Sequence, residues 1–361
     1  MGKQRIVLPA LILSLLSVVL VGCGRKEVTT SAPPKGREAA LAQLSDKARQ
    51  AFFKAALGPL GNVPVPPDNP ITPEKVELGK MLFFDPRLSG DRKTSCASCH
   101  IPEKAWADGR VVCVGVGGRK GMRNTPSLLN VAYYQKFFWD GRARSLEDQA
   151  LKELSSPHMG SSPERAARAI AAIPGYGPLF RAAFGSDQVT PDRLAKALAT
   201  FERTIVTGPS PFDKFIEGDT EALTEEQKKG LEIFLTRGKC TDCHRTRFFT
   251  NHEIARTTLY MAPDYGLYNL TKKEYDVGKF RVPTLRNIAL TAPYLHNGYE
   301  ATLEDVAFFT LNGRSRRYMK EHGEIMPIKP FTDDELKSVV EFLKSLTGEL
   351  PAIERPRQLP Q

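Results

Sequence analysis

LGKMLFFDPRLSGDRKTSCASCH, residues 78–100, ends in a Cys-x-x-Cys-His motif at Cys96, Cys99 and His100. On one helical turn, positions i, i+3 and i+4 share a face. Two thiols at that spacing can form thioethers with the vinyl groups of a haem, and the adjacent histidine then reaches the iron from one side. The motif returns at Cys240, Cys243 and His244. Each copy is approached by a similar segment, Leu78-Gly79-Lys80-Met81-Leu82-Phe83 and Lys229-Gly230-Leu231-Glu232-Ile233-Phe234. A thioredoxin-type dithiol and a zinc site are the alternatives for such cysteines. Zinc does not need the adjacent histidine twice, and no βαβ pattern surrounds either motif. Two covalent haems are the expectation.

The 361 residues exceed what one hydrophobic core usually serves. The duplicated approach divides the chain into an N-terminal haem domain over 63–212 and a C-terminal one over 213–352, with a tail at 353–361. The boundary falls near GPSPFDKFIEGDT, residues 208–220. Helical patterns dominate, at 73–84, 163–173, 191–206, 224–236, 302–310 and 332–346, and apolar periodicity continues over 37–57. Thr224 with Gln227, and Thr332 with Glu335, form capping boxes. No strand alternation of useful length appears.

At the N-terminus, Lys3 and Arg5 precede an apolar run from Ile6 to Val21 that closes on Leu20-Val21-Gly22-Cys23. This is a secretory signal over 1–22. Its ending is similar to the bacterial lipobox, which makes Cys23 the lipidated first residue of a periplasmic, membrane-anchored protein. Residues 23–62 then supply a polar tether, the helix at 37–57 and a Pro-rich stretch. The formal charge is +10. It suits an acidic partner protein or an anionic membrane surface. No dense Lys/Arg run or nucleic-acid motif is present, which sets DNA and RNA aside. Of six cysteines, only Cys113 has no assigned chemistry, and it reads as a small apolar residue.

Beyond the haem motifs, RNTPSLLNVAY (123–133), FFWDGRARSLEDQA (137–150), FERTIVTGPSPFD (201–213) and GKFRVPTLRNIALTAPYLHNGYEATLED (278–305) follow in order. With 78–100, these blocks resemble the dihaem cytochrome c peroxidases and their MauG-type relatives. The resemblance implies a mostly α-helical protein of two cytochrome-c-like haem domains packed against each other. It implies an N-terminal haem that meets hydrogen peroxide and a C-terminal haem that relays electrons from a small donor protein, a cytochrome c or a cupredoxin. Trp139 matches the tryptophan between the haems, and its other reading is a core aromatic. Gln149 matches a distal glutamine. His158 falls where the family has a distal glutamate, with Glu153 as the fallback acid.

One departure bears on the chemistry. Many of these peroxidases carry a histidine ligand in the Gly-rich loop after the first motif. Here the loop reads Val114-Gly115-Val116-Gly117-Gly118. Val116 takes the histidine's place and cannot ligate iron, so the first haem is expected to be open, as in MauG. At the second haem, the family's distal ligand position holds Thr310. Met326 is then the preferred ligand, ahead of Met319, Tyr318 and His322, while His296 has a structural role in the family. A calcium ion between the domains is also implied, through the Asn124 side chain and the carbonyl oxygens of Thr291 and Pro293. Homodimers are common in the family. A non-catalytic dihaem electron carrier is the competing reading, and it requires both irons to be six-coordinate.

Overall fold

Thr72 accepts a hydrogen bond from Lys75 N, and Pro73 opens the first turn, so helix α3 runs Pro73–Phe84. The same device, Thr190 followed by Pro191, starts α7 at Pro191–Glu202. These two helices pack against each other. A β-carbon at Gly79 would fall 2.0 Å from the Ala197 carbonyl oxygen, so only glycine permits the approach. In the second half α9 (Glu225–Leu235) packs on α12 (Asp333–Lys344) in the same way, with both expected capping boxes formed. There a β-carbon at Gly230 would lie 1.9 Å from Ser338 O. The glycine shared by the two approach segments is therefore what lets each haem-motif helix cross its partner closely. Gly230→Ala is expected to destabilise the protein by about 3 kcal/mol, read as a lower denaturant midpoint. Gly177→Ala, where nothing lies closer than 3.7 Å, is the control and should not destabilise.

The structure is a computed structural model and describes residues 35–256, 263–313 and 331–361. The signal at 1–22, Cys23, Tyr318, Met319, His322 and Met326 lie outside the described residues. The remaining helices are α1 Lys35–Ala42, α2 Asp46–Ala55, α4 Leu146–Leu154, α5 Pro163–Ala171, α6 Tyr176–Phe184, α8 Pro211–Glu217, α10 Tyr268–Thr271 and α11 Leu303–Asn312. The apolar stretch at 37–57 is two helices, because Ser45 caps a fresh start by accepting from Ala48 N. One strand pair does form, β1 Ile254–Arg256 antiparallel to β2 Lys279–Arg281, too short for alternation to reveal it. Among the described residues no helix is long and apolar enough to cross a membrane.

Two hydrophobic cores organise the chain. The first joins Leu78, Leu82, Phe83, Trp106, Leu198 and Phe201 with neighbours up to Ile205. The second joins Phe212, Phe215, Phe234, Phe249 and Phe342, and takes in α1 and α2 through Leu41 and Phe52. The lobes repeat each other further than the approach segments. PSLLNVAYYQKFFWDG (126–141) and PTLRNIALTAPYLHNG (283–298) align without a gap. Asn130 and Asn287, Phe138 and Leu295, and Gly141 and Gly298 all adopt positive φ at matching places. Trp139 of one lobe thus corresponds to His296 of the other. They meet edge-on, ring centroids 6.4 Å apart. The backbone contacts repeat too: Asn124 N donates to His296 O, and Arg281 N donates to Trp139 O, each at 2.7 Å.

Candidate dihaem active site

Each Cys-x-x-Cys-His segment folds as a single turn. His100 N donates to Cys96 O at 2.9 Å and His244 N to Cys240 O at 2.8 Å. The histidines are oriented from the far ring nitrogen: His100 Nδ1 lies 3.1 Å from Trp106 O and His244 Nδ1 3.0 Å from Phe249 O. Nε2 is thereby left as the nitrogen for iron, and the carbonyl partner raises the ligand's basicity. Both accepting residues hold positive φ, 60° at Trp106 and 51° at Phe249. Burial lowers both histidine pKa values, which favours the neutral, ligating imidazole.

The cysteines have the environment of attachment points rather than of reactive thiolates. Burial pushes Cys99 up to about 11 and Cys240 up to about 12, and raises Cys96 as well. All four motif cysteines are free of disulfides. Among the described residues no three His, Cys, Asp or Glu side chains converge to hold a metal ion, and Cys96 and Cys240 pack against separate cores. Each lobe thus offers two thiols and one imidazole on a turn against an apolar core, the donor set a c-type haem needs.

The Gly-rich loop closes as a hairpin. Gly115 N donates to Arg119 O and Gly121 N to Cys113 O. Cys99 Sγ lies 3.6 Å from Val114 O, which places this loop at the first motif. Val116 N donates to His158 O at 2.8 Å. Gly115 must be glycine, since a β-carbon there would lie 2.5 Å from His158 Cα. The structure therefore brings His158 directly beside Val116 of the Gly-rich loop. His158 Nε2 is 3.6 Å from Cys113 Sγ, and Nδ1 is 4.0 Å from Glu153 Oε1. Cys113 is half-buried against this imidazole, a neighbour that nothing in its local sequence announced.

Gln149 and Glu153 lie one turn apart on α4, so they share a face. Gln149 is half-buried, and its amide makes no hydrogen bond to another described residue. Glu153 raises the pKa of Cys96, Cys99 and Cys113 and pulls that of His100 upward against burial. Glu153 therefore lies within electrostatic reach of the first motif, its Oε1 accepting from Ser156 Oγ at 2.9 Å. Glu202 is also near Cys96; burial pushes it up to about 8, and its Oε2 has no partner. Nothing in its local sequence, at the end of an amphipathic helix, marks it out.

Trp139 sits between the lobes, its Nε1 donating to Asn124 O at 2.9 Å. Asn124 is buried and donates through Nδ2 to Arg110 O at 2.7 Å, which leaves its side-chain oxygen to accept. Its backbone bond to His296 sets it beside the loop of Thr291 and Pro293. His296 stacks on Phe280 at 3.7 Å, and burial lowers it to about 4. Thr310 is exposed and gives its hydroxyl to Val306 O, so it is turned to its own helix.

Two cytochrome-c-like lobes, each with an oriented Cys-x-x-Cys-His turn, define a dihaem c-type protein. A family model described as di-haem cytochrome c peroxidase matches residues 73–221. The methylamine utilization protein MauG of Methylorubrum extorquens is 38% identical over 363 residues, 99% of this chain and 100% of the relative. The cytochrome c551 peroxidase of Nitrosomonas europaea is 38% identical over 315 residues, 85% of this chain and 90% of the relative. Among solved structures, a MauG-like protein associated with microbial copper homeostasis superposes with a TM-score of 0.72 at 31% identity, covering 80% of this chain and 94% of that one. The chain belongs to the dihaem cytochrome c peroxidase and MauG family, and is an enzyme of dihaem peroxidase type carrying two c-type haems.

Proposed function

We propose that this protein reduces hydrogen peroxide to water at its N-terminal haem, with electrons entering from a small cytochrome c or cupredoxin and passing through the C-terminal haem and Trp139. The observation that carries the reading is the backbone bond from Val116 N to His158 O, which ties the Gly-rich loop to His158: where the resemblance expects a histidine ligand, this loop carries only an aliphatic side chain. One peroxide takes up two electrons and two protons and leaves as two waters. The haem iron, when bound, supplies electrons to the oxygen–oxygen bond. The chain's own work is to move a proton from the inner to the outer oxygen and to hold the peroxide. His158 is suited to the transfer, because an imidazole can accept a proton at one nitrogen and donate one, and Glu153 Oε1 lies 4.0 Å from its Nδ1. Gln149 provides an amide on the same helix face as Glu153, able to donate to the outer oxygen. Trp139, hydrogen-bonded to one lobe and in ring contact with the other, bridges the route for electrons.

His158→Ala is expected to slow peroxide turnover by about 10²–10⁴-fold with covalent haem unchanged, measured by steady-state assay and haem content together. An unaltered rate would remove His158 from the transfer and pass the role to Glu153.

A second reading has a specific observation behind it. An open first haem without reductive activation suits the MauG-type reaction, in which the oxidised haem pair withdraws electrons from residues of a partner protein. The same Val116 supports it. For the rest, export and lipidation at Cys23 would hold the enzyme at a periplasmic membrane surface. Asn124 with the carbonyls of Thr291 and Pro293 would bind one calcium, neutral oxygens suiting a hard cation whose shell water completes. A homodimer is the assembly that family practice favours.

A further inference from the structure

The lobe junction contains a positive charge that no described carboxylate matches. Among the described residues three arginines are buried: Arg203, Arg281 and Arg286. Arg203 pairs with Glu147 at 2.7 Å and Arg286 with Asp213 at 2.9 Å. Arg281 has no ion pair with any described residue. Its Nε donates to Phe138 O at 3.3 Å, its guanidinium carbon lies 4.1 Å from the centre of the Tyr134 ring, and its Nη1 has no partner. His252 is packed against Tyr134 and Phe248, is 7% exposed, and its Nε2 likewise has no partner. Lys136 adds a second cation, its Nζ donating to His252 O at 2.9 Å. A buried guanidinium without a counter-charge is costly, and the unmade hydrogen bonds add to the cost.

The lobe repeat makes the site more pointed. Arg281 occupies the place that Asn124 holds in the first lobe, two residues before the matching prolines. Where one half of the junction has a neutral amide, the other has a charge. Both orphaned groups sit by the second haem motif: the Pro283 carbonyl lies at His244, and His252 follows that motif through the Thr250 turn. The group this lobe is built to hold carries two carboxylates on an apolar ring.

We infer that Arg281 and His252, with Lys136 behind them, form the seat of a haem propionate of the second haem, next to Trp139. Arg281 then joins three things through one residue: the propionate through its guanidinium, Phe138 O through Nε, and Trp139 O through its backbone N–H. A fixed positive charge beside the haem favours the reduced state, and the seat places that charge on the electron-entry haem. The inference rests on the covalent haem and is independent of how the first haem's distal side works.

The test uses the purified dihaem protein, with spectroelectrochemical titration and resonance Raman spectroscopy of the propionate bending bands. Arg281→Gln is expected to lower the reduction equilibrium constant of the second haem roughly tenfold, about 59 mV for a one-electron couple, and to shift one propionate band. Arg281→Lys should restore most of the potential but not the band. If Arg281→Gln yields no folded protein, His252→Gln decides, with a shift of the same band expected. Unchanged potential and unchanged bands would overturn the inference. So would a wild-type potential that responds saturably to added acetate or phosphate while the variant's does not, which would assign the seat to a free anion.

Discussion

Protein in which Cys240 and Cys243 are both alanine is expected to carry half the covalent haem of the wild type, and so is the Cys96→Ala/Cys99→Ala protein. The pyridine haemochrome assay per polypeptide reads this directly. The two variants differ in what survives. Loss of the first pair should abolish reaction with peroxide outright. Loss of the second should leave a peroxide-reactive haem that cannot be re-reduced by a donor protein. The structural basis is the independence of the two sites: each turn closes on itself, each histidine is held by its own lobe's carbonyl, and Cys96 and Cys240 each pack against their own core. Undiminished covalent haem in either variant would refute the assignment.

Asp213→Ala is expected to cost about 3–5 kcal/mol. Asp213 and Arg286 are 3% and 2% exposed and meet through two hydrogen bonds of 2.9 Å. The same guanidinium reaches Arg247 O, just after the second motif, and Gly58 O, at the end of the N-terminal helices, both at 2.7 Å. Asp213 also closes the capping box that starts α8. Removing the carboxylate leaves a buried cation and uncaps a helix at once. Urea denaturation of the holoprotein measures the loss. Asp148→Ala, which breaks an exposed pair with Lys152, serves as the contrast and should change stability by less than about 1 kcal/mol.

What could be read from the sequence was local. The Cys-x-x-Cys-His spacing is a statement about one turn, and the capping boxes at Thr224 and Thr332 are statements about four residues, so both appear in the structure as read. Apolar periodicity runs through Ser45 and conceals the break there, although a serine able to cap a helix stands at that position. Helix α6, YGPLFRAAF, carries a glycine and a proline that argue against a helix, yet Tyr176 and Phe180 bury fully in the first core and tertiary packing prevails.

The site's finer parts depend on contacts between distant residues. The carbonyls that hold His100 and His244 come from Trp106 and Phe249, whose positive φ no glycine advertised. Cys113 read as an inert apolar residue, and only the fold sets it against His158. The equivalence of Trp139 and His296 lay in two aligned segments, but their likeness is in backbone conformation more than in side chains.

The account depends on an iron in the first lobe with no protein ligand on its far face. Electron paramagnetic resonance of the ferric protein as isolated tests this most directly. One high-spin and one low-spin signal of equal intensity is the predicted spectrum, with the high-spin signal lost in Cys96→Ala/Cys99→Ala protein. Two low-spin signals would contradict it, and would leave a dihaem electron carrier in place of the enzyme.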